Sequence, residues 1–439
     1  MADIVIDPVT RIRGNASVKI VLDENGSPQQ ALFRAFGYRG FEQIAREAHV
    51  ENLIPIVSRI CGGDSISHQI AAATAVEDAL GLQPPQEAVR LRELAMWGQL
   101  FERHAVSLTV HSLPDLLFPS SDPSLRNIIS LNRVDEEVVK RVMALKSLGT
   151  YVVREVGGRA VHAVNFLPGG AVFAVADEAR AEIEKRLNDA GPLLIETGRL
   201  IKLLLRRNEE AVNTLGAAPT SYLSLKSGDG MAVTGKSLTV VNMEGESVGT
   251  VSAAEASGRL EESNLPHSHI RSVRLAEVGE ATVGPLARLN VNRRYGTEHA
   301  DEELEEVKSQ WGFPLNKSMI GHAARILEMI HAWERMIEIL GQPSERSVRV
   351  ELPHSAGKGV GVVEAPEGTL LYSLVIDEAG LVKELTITTP LQFNINALER
   401  TLTESAQAVL GRGEPEERAT VLLETAIRSY APCIPCGVH

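Results

Sequence analysis

The sequence predicts an α+β protein that is mainly α-helical, with a central helical bundle flanked by small antiparallel sheets. Long segments carry apolar residues at the three- and four-residue spacing of an amphipathic helix. Shorter segments rich in Gly, Ser and β-branched residues are typical of strands joined by turns. The 439 residues contain no internal repeat, no low-complexity tract and no clear linker.

The chain begins with a predicted hairpin. Residues 3–37 alternate apolar and polar positions around a turn at Asn25-Gly26. From Ser67 the spacing becomes helical, and this helix is expected to end at Gly81. Further helices are predicted at about 86–112, 122–148, 176–207, 316–341, 393–411 and 415–429.

The pattern divides the chain into six segments. The least helical of them is predicted to be a peripheral insertion that carries strands. A second hairpin is predicted near the C-terminal end, with its turn at 377–380. The segments are an N-terminal hairpin with loops that border a site (1–60), a helical core (61–216), the insertion (217–285), more of the helical core (286–345), the hairpin region (346–392) and C-terminal helices with a CxxCxxH tail (393–439).

The composition argues against several classes of protein. A formal net charge of −13 disfavours a nucleic-acid or anionic-membrane surface, since both require clustered Lys and Arg. No secretory signal is recognisable at Met1. No apolar run reaches about 18 residues, the length that a membrane span needs. We therefore expect a cytoplasmic protein.

Three cysteines, Cys61, Cys433 and Cys436, are the most informative residues. So few thiols, and an odd number of them, do not form a disulfide framework. The terminal CxxC alone fits a redox dithiol, half of a zinc site or a chance pair, and Cys61 alone fits a small buried apolar residue. In the segment RICGGD, however, Asp64 lies three residues after Cys61, where a second thiol would complete another CxxC.

Both cysteine segments belong to a series of eight segments that runs along the whole chain. The segments are DPVTRIRGN (7–15), YRGFE (38–42), RICGGDSISH (59–68), HSLPD (111–115), GGRAVHAVNFLPGG (157–170), GPLARLN (284–290), EAPEGTL (364–370) and PCIPCGVH (432–439). This series resembles the large, catalytic subunit of nickel–iron hydrogenases, and eight segments in the family's order are too many for chance. The resemblance favours the cytosolic, multi-subunit branch of that family.

The resemblance implies a nickel–iron centre built from both ends of the chain. Cys61 and Cys433 would be terminal nickel ligands, and Cys436 would bridge nickel and iron. Redox-active nickel and low-spin iron favour such soft, electron-rich thiolates. Asp64 stands where the family has its second bridging Cys, and we expect it to act as a ligand. His68, one helical turn further on, resembles the His that hydrogen-bonds this bridge.

Two further positions depart from the family pattern together. Arg13 stands where the family has a proton-transferring Glu, and Glu367 stands where it has an Arg that overhangs the metals. Either an acid and a base have exchanged places, or two unrelated losses have occurred. We favour the exchange, because an unpaired buried charge is costly and a swapped pair restores neutrality. The two side chains are then expected to form a salt bridge beside the centre.

Of the other positions around the implied centre, some match the family pattern and others depart from it. Asp115 and Pro366 match the family, whereas Leu391 replaces a Ser or Thr that often hydrogen-bonds a cyanide ligand of the iron. Ala431 replaces the Asp of the family's closing motif. Because Glu367 replaces the other side chain that contacts the cyanides, we expect weak hydrogen-bond support for cyanide and CO on the iron.

The resemblance also implies a magnesium site near the C-terminus. Glu42, His439 and the backbone carbonyl of Ile387 fall at the family's ligand positions. Mg²⁺ prefers oxygen ligands and retains several waters, so one carboxylate and one carbonyl suit it. Outside this motif, Glu42 would be interpreted as an ordinary surface acid.

Three functions follow, in order of preference. The first is a hydrogenase large subunit that splits H₂ heterolytically and passes electrons to an iron–sulfur small subunit, since three cysteines cannot also hold a cluster that takes four. The second is a hydrogenase-like metalloprotein with altered or lost H₂ activity. The third is a metal-free structural subunit, as in respiratory complex I. No nucleotide or flavin motif is visible, so further electron-transfer subunits are expected to set the electron acceptor.

Overall fold

The computed structural model describes residues 3–217, 220–228 and 230–439, and about half of them are helical. The predicted fold class is confirmed, because long helices form the centre and small sheets flank them. None of the described helices is long and apolar enough to cross a membrane. The helices are α1 (Phe41–Ala45), α2 (Val50–Val57), α3 (Ser65–Ala79), α4 (Gln86–Val106), α5 (Leu113–Leu117), α6 (Ile128–Val134), α7 (Glu136–Gly157), α8 (Asp177–Arg207), α9 (Glu209–Thr214), α10 (Ala253–Arg259), α11 (Pro285–Asn292), α12 (Glu298–Trp311), α13 (Gly321–Leu340), α14 (Pro390–Leu410), α15 (Glu416–Tyr430) and α16 (Ile434–Gly437).

The strands of the described residues form five small sheets. They are β1 (Ile4–Ile6), β2 (Ser17–Leu22), β3 (Pro28–Arg34), β4 (Phe166–Leu167), β5 (Gly170–Ala171), β6 (Ser221–Leu225), β7 (Ser237–Val241), β8 (Ser247–Ser252), β9 (Leu260–Leu265), β10 (Ser268–Leu275), β11 (Ala281–Thr282), β12 (Gly357–Ala365), β13 (Gly368–Ile376) and β14 (Val382–Thr388). The strand orders are β1-β2-β3, β4-β5, β10-β9, β11-β6-β7-β8 and β12-β13-β14, and only the β11–β6 pair is parallel.

The strand predictions are partly confirmed. The N-terminal region contains three strands where one hairpin was expected. Its turn at Asn25-Gly26 is confirmed, with Gly26 at φ +81° and its amide donating a 3.0 Å hydrogen bond to the Asp23 carbonyl. Strands also occur between 217 and 285, as predicted, together with the short helix α10.

Most predicted helices are confirmed within a few residues, with one clear exception. The helix predicted over 122–148 is broken at Asp135, which has φ −146° and ψ 85°. The Asp135 side chain accepts a 3.1 Å hydrogen bond from the Val138 amide, so it caps α7 instead of continuing a helix. The helix predicted over 86–112 leaves the α conformation after Val106 and continues as a π-helical turn over Ser107–Ser112.

A strip of glycines brings α3 unusually close to the sheet β12-β13-β14. Gly357, Gly359 and Gly361 alternate along β12 and face backbone atoms of α3, where an added Cβ would collide. The residues opposite them on α3 are alanines one helical turn apart. This close packing sets the N-terminal end of α3 beside β13, where His68 Nδ1 lies 2.7 Å from the Tyr372 hydroxyl oxygen.

The two ends of the chain meet in a short parallel pairing. Cys433 lies beside Arg13, and the Ile434 amide donates a 3.0 Å hydrogen bond to the Arg13 carbonyl. Gly14 follows with φ +97°, and a Cβ at this position would lie 2.7 Å from the Ile434 side chain. Only glycine tolerates both the left-handed conformation and the close approach. The N-terminal loop therefore holds the C-terminal CxxC against the core.

Replacing Gly359 with Ala should destabilise the protein. The added methyl group would force α3 and β12 apart, and overpacking of this kind costs about 1–3 kcal/mol. Urea unfolding of Gly359→Ala measures the loss. Gly249→Ala is the matched control, since Gly249 also lies in a strand but an added Cβ would have no neighbour within 4 Å. Equal unfolding midpoints for the two variants would show that the glycine strip is not close-packed.

Candidate metal centre

Four residues from distant parts of the chain converge on one buried point. Cys61 and Asp64 lie in the turn that leads into α3, Cys433 directly precedes α16, and Cys436 lies within it. Their sulfur and carboxylate atoms all lie within 4.8 Å of one another, and none of the four residues is more than 7% exposed. The predicted convergence is confirmed, while the role of these residues as ligands stays a prediction.

The Asp64 carboxylate lies between two sulfurs. Its Oδ2 atom is 3.5 Å from the Cys61 sulfur and 3.2 Å from the Cys436 sulfur. The Cys61 sulfur is also 3.5 Å from the Cys433 sulfur. Cys433 and Cys436 form a disulfide in this structure, with Cα atoms 5.3 Å apart. Metal binding by both therefore requires the reduced pair, because the thiolate is the ligand.

The chemistry of this donor set fits a transition metal. Burial, together with the charge of Asp64, raises the pKa of the Cys61 thiol to about 12. A thiolate at this point therefore needs a cation beside it, and soft sulfur donors select transition metals. The three sulfurs and one carboxylate that lie within a few ångströms of one another are donors that a transition metal would bind.

Arg13 balances the charge of the carboxylate. Its Nη1 atom donates to both Asp64 oxygens, at 3.0 and 2.8 Å, and its Nη2 atom pairs with Glu367. The predicted Arg13–Glu367 salt bridge is confirmed, whereas the contact with Asp64 was not foreseen. Burial opposes the charge of Arg13, but the two carboxylates outweigh it and raise the pKa of the guanidinium.

The two carboxylates that share Arg13 differ in the direction of their pKa shifts. Burial disfavours the charge of Asp64, but Arg13 and Arg103 outweigh it and hold the pKa of Asp64 below its usual value. Burial and the charge of Asp64 raise the pKa of Glu367 in spite of Arg13. Asp64 is thus ionised, as a ligand must be, and Glu367 is the member of the pair that binds a proton more readily.

His68 is oriented by a buried tyrosine. Its Nδ1 atom contacts the Tyr372 hydroxyl, and burial lowers the pKa of the imidazole to about 3, so the ring is neutral. His68 and Asp64 line the same small cavity. No hydrogen bond joins the His68 and Asp64 side chains among the contacts of the described residues. The predicted hydrogen bond to the bridging position therefore stays a prediction.

A cavity of about 10 Å³ adjoins Cys433 and Cys436. Leu391 and three other apolar residues form much of its wall, so the wall offers few hydrogen-bond donors. Pro366, a further predicted cofactor-binding residue, directs its carbonyl to Arg288, which donates a hydrogen bond of 2.9 Å. The Pro366 carbonyl is therefore engaged by the protein core.

Asp115, predicted to be a catalytic-site residue, touches none of the four converging residues among the described contacts. Its carboxylate pairs with Arg11 at 2.5 Å and with Arg428 at 2.7 Å. Arg428 also donates a 2.9 Å hydrogen bond to the Thr10 carbonyl. Asp115 therefore fixes the loop that carries Arg13 against α15, and its catalytic role stays a prediction.

A second cluster surrounds His439. The buried Nε2 atom of His439 has no hydrogen-bond partner among the described residues and lies 3.6 Å from Glu42 Oε1. This oxygen accepts a 2.8 Å hydrogen bond from the Ile387 amide. Metal binding by the Ile387 carbonyl stays a prediction. The other Glu42 oxygen pairs with Arg271 at 3.2 Å. The unpartnered nitrogen beside a carboxylate fits a small cation, although Arg271 already supplies one positive charge.

Comparison with known proteins agrees with this geometry. A family model described as nickel-dependent hydrogenase matches residues 39–113 and 244–439, and a HoxL-like model matches residues 3–35. The chain is 32% identical to the vhu F420-non-reducing hydrogenase subunit of Methanocaldococcus jannaschii, over 93% of the chain and 100% of that relative. The chain belongs to the nickel-dependent hydrogenase family.

Other relatives extend over the same length. The hydrogenase chain is 28% identical to the NAD-reducing hydrogenase HoxS subunit beta of Cupriavidus necator, across 99% of the chain and 94% of that relative. A solved NAD⁺-reducing [NiFe]-hydrogenase in the H₂-reduced state superposes with a TM-score of 0.94 and 25% identity, covering 100% of both chains. The architecture is therefore that of a hydrogenase large subunit, as the sequence motifs predict.

Two arginines near the hydrogenase centre were missed by the sequence analysis. Arg103 on α4 lies against Gly63, where an added Cβ would clash with its guanidinium, and its charge acts on Asp64. Arg271 on β10 pairs with Glu42. No local motif marks either arginine. The paired glycines of CGGD are the only signal that a large side chain packs against this turn.

Reversing the charge at position 13 should damage the hydrogenase chain more than exchanging both charges. Arg13→Glu breaks a buried ion pair and leaves Asp64 and Glu367 without their guanidinium, which costs about 3–5 kcal/mol. Adding Glu367→Arg restores a cation and should recover most of the stability. Urea unfolding of the single and double variants measures the difference. Equal losses would show that the two positions are not coupled.

Proposed function

We propose that this chain is the H₂-activating large subunit of a hydrogenase, with a nickel–iron centre held by Cys61, Asp64, Cys433 and Cys436. The convergence of three cysteine sulfurs and a carboxylate from opposite ends of the chain supports this most directly. When bound, such a centre supplies a redox-active Lewis acid that polarises H₂ and takes up its electrons. The residues of the chain hold the metals, exclude water and receive the proton.

Asp64 gives the proposed centre its particular character. In this proposal Cys61 and Cys433 would hold nickel, and Cys436 and Asp64 would be shared by nickel and iron. The 3.2 Å separation of the Cys436 sulfur and Asp64 Oδ2 suits two donors that share a metal. A carboxylate is a harder donor than a thiolate, so nickel should be less readily reduced than in a four-thiolate centre. Arg13 orients the carboxylate by contacting both of its oxygens.

The proton from H₂ has a defined acceptor on the protein. Arg13 keeps Asp64 ionised and itself stays charged, so it cannot relay a proton as a Glu at its position would. Glu367 is joined to Asp64 through Arg13 and has a raised pKa, which suits it to hold a proton. The exchange of acid and base therefore moves the proton-holding carboxyl group from position 13 to position 367.

The proposal extends to the finer features of the family's centre. Iron would carry cyanide and CO, for which the cavity beside Leu391 offers an apolar wall. Mg²⁺ would lie between Glu42 and His439, with Arg271 sharing the neutralisation of the carboxylate. Infrared spectroscopy of the purified protein detects the iron ligands, and elemental analysis detects magnesium.

A hydrogenase-like protein with altered H₂ activity is the alternative function. The exchange of Arg13 and Glu367 favours it, because a guanidinium now lies where the family moves protons. H₂-dependent dye reduction and nickel content, measured on the same purified complex, decide between the two. A full nickel content without turnover would support the alternative. A metal-free structural role is disfavoured, because such a role does not need three cysteines and a carboxylate at one point.

An iron–sulfur small subunit is the proposed partner, since electrons must leave a buried centre. Exposed apolar side chains beside Gly62 and in the segment before α1 suit such an interface. Val161 is 52% exposed, and its side chain lies 3.2 Å from the position of a Cβ on Gly62. Phe36 and Tyr38, in the segment before α1, are 52% and 54% exposed. The cytoplasmic location expected from the sequence stays a prediction.

A charge introduced into this apolar surface should release the partner. Val161→Asp is expected to weaken binding of the small subunit by about tenfold or more, because a carboxylate would be buried in the interface. Val248→Asp is the control, since Val248 is 53% exposed but lies on β8 in the peripheral insertion. The iron that co-purifies with the tagged large subunit measures this binding. Equal iron content in both variants would contradict this placement of the interface.

Asp64 should be required for the metal. Asp64→Asn replaces a charged donor with a weaker neutral one and should lose nickel or activity. Asp64→Cys should retain nickel and shift the infrared bands towards those of a four-thiolate centre. Asp189→Asn, at an exposed position on α8, is the control for handling and loading. Asp64→Ala with unchanged nickel content, infrared bands and activity would show that position 64 is not a ligand.

A further inference from the structure

Arg325, on the first turns of α13, is a buried cation without a counter-ion. It is 2% exposed, forms no ion pair with a described carboxylate, and its Nη1 atom has no hydrogen-bond partner among the described residues. Other deeply buried arginines are paired: Arg92 with Glu77, and Arg288 with Glu328. An unpaired buried guanidinium is costly, so its environment must satisfy it in another way.

A cavity of about 30 Å³ lies against Arg325. Its polar lining comes, in addition to the guanidinium, from Glu367, Asn394, Ser318, Ser429, Thr282 and Tyr430. Ser318 and Ser429 donate their own hydroxyl hydrogens to backbone carbonyls, so their oxygens remain available as acceptors. A cavity of this size, with several polar partners, meets the requirements for one or two ordered waters.

Glu367 connects this cavity with the metal centre. It lines the 30 Å³ cavity beside Arg325 and also the smaller cavity beside Cys433 and Cys436. Among the carboxylates that act on Arg325, Glu367 has the largest effect. An inorganic anion is a poor occupant, because the Glu367 carboxylate would repel it. Water can instead accept a hydrogen bond from the guanidinium and donate one to the carboxylate.

We propose that ordered water in this cavity links the Glu367 carboxylate to Arg325, which makes Arg325 a positioning residue for Glu367. The carboxylate is then held from two directions, directly by Arg13 and through water by Arg325. The consequence for proton movement rests on the proposed function, whereas the water link itself does not.

Gly321 allows the water to be displaced without removing any charge. It begins α13 with φ −52° and ψ −26°, which Ala adopts readily. An added Cβ would lie 3.4 Å from Arg325 Nη1 and 3.2 Å from the Ser429 carbonyl oxygen, at the edge of the cavity. If the cavity holds water, Gly321→Ala displaces it and should lower Tm by about 1–3 °C in spite of the better helix propensity of Ala. A dry cavity would be filled by the methyl group, so Tm would stay equal or rise.

Gly341→Ala is the matched control at the other end of the same helix. Gly341 has φ −68°, and an added Cβ would make only ordinary contacts at 3.6 Å. Arg325→Met provides the second arm, because removing an unpaired buried charge in favour of an apolar side chain should be tolerated. In the Arg325→Met background, Gly321→Ala should no longer lower Tm. The same loss of Tm in both backgrounds, or no loss in either, would overturn the water link.

The positioning role of Arg325 is tested by measuring D₂/H⁺ exchange by the purified complex. This exchange reaction needs no electron acceptor. Arg325→Met should keep its nickel content and lose exchange about tenfold, because Glu367 is then held from one side only. Unchanged exchange at equal nickel content would overturn the positioning role. Absence of exchange in the unaltered complex would instead contradict the proposed function, and the Tm comparison would still test the water link.

Discussion

One guanidinium connects the separate parts of the centre. The Arg13 side chain lies between Asp64 and Glu367, and its backbone carbonyl accepts the hydrogen bond that docks Ile434 and the terminal CxxC. Electrostatic balance and the position of the terminal CxxC therefore depend on the same residue. Asp115 helps to hold Arg13 in place, because its ion pairs with Arg11 and Arg428 fix the loop on which Arg13 lies.

Rigid backbone contacts place the other half of the centre. The glycine strip of β12 lets α3 lie directly on the sheet, so main-chain packing sets the position of the helix that follows Cys61 and Asp64. Tyr372 on β13 then orients His68 across the same contact. Positions fixed by backbone against backbone relax little on substitution, which suits a site whose ligands must be preorganised.

Residues in recognisable motifs were predictable, and residues that act through the tertiary structure were not. The convergence of Cys61 with the terminal CxxC, and the Arg13–Glu367 pair, follow from motif positions and charge neutrality. The contact of Arg13 with Asp64 could not be predicted, because it depends on how the N-terminal loop lies over the turn. Asp135 ends a helix through a local cap that competes with an otherwise helical pattern.

Protein synthesis imposes an order on the formation of this site. Asp64 and Arg13 are 51 residues apart, so they can meet early, whereas Cys61 and Cys433 are separated by 372 residues. At the usual rate of translation the ribosome needs about 20–75 s to cover that interval. During this time the first thiol and the carboxylate would be available to any stray ion in the cell. The donor set is complete only when the last two cysteines arrive, so until then the nascent chain offers no complete binding site for the wrong metal.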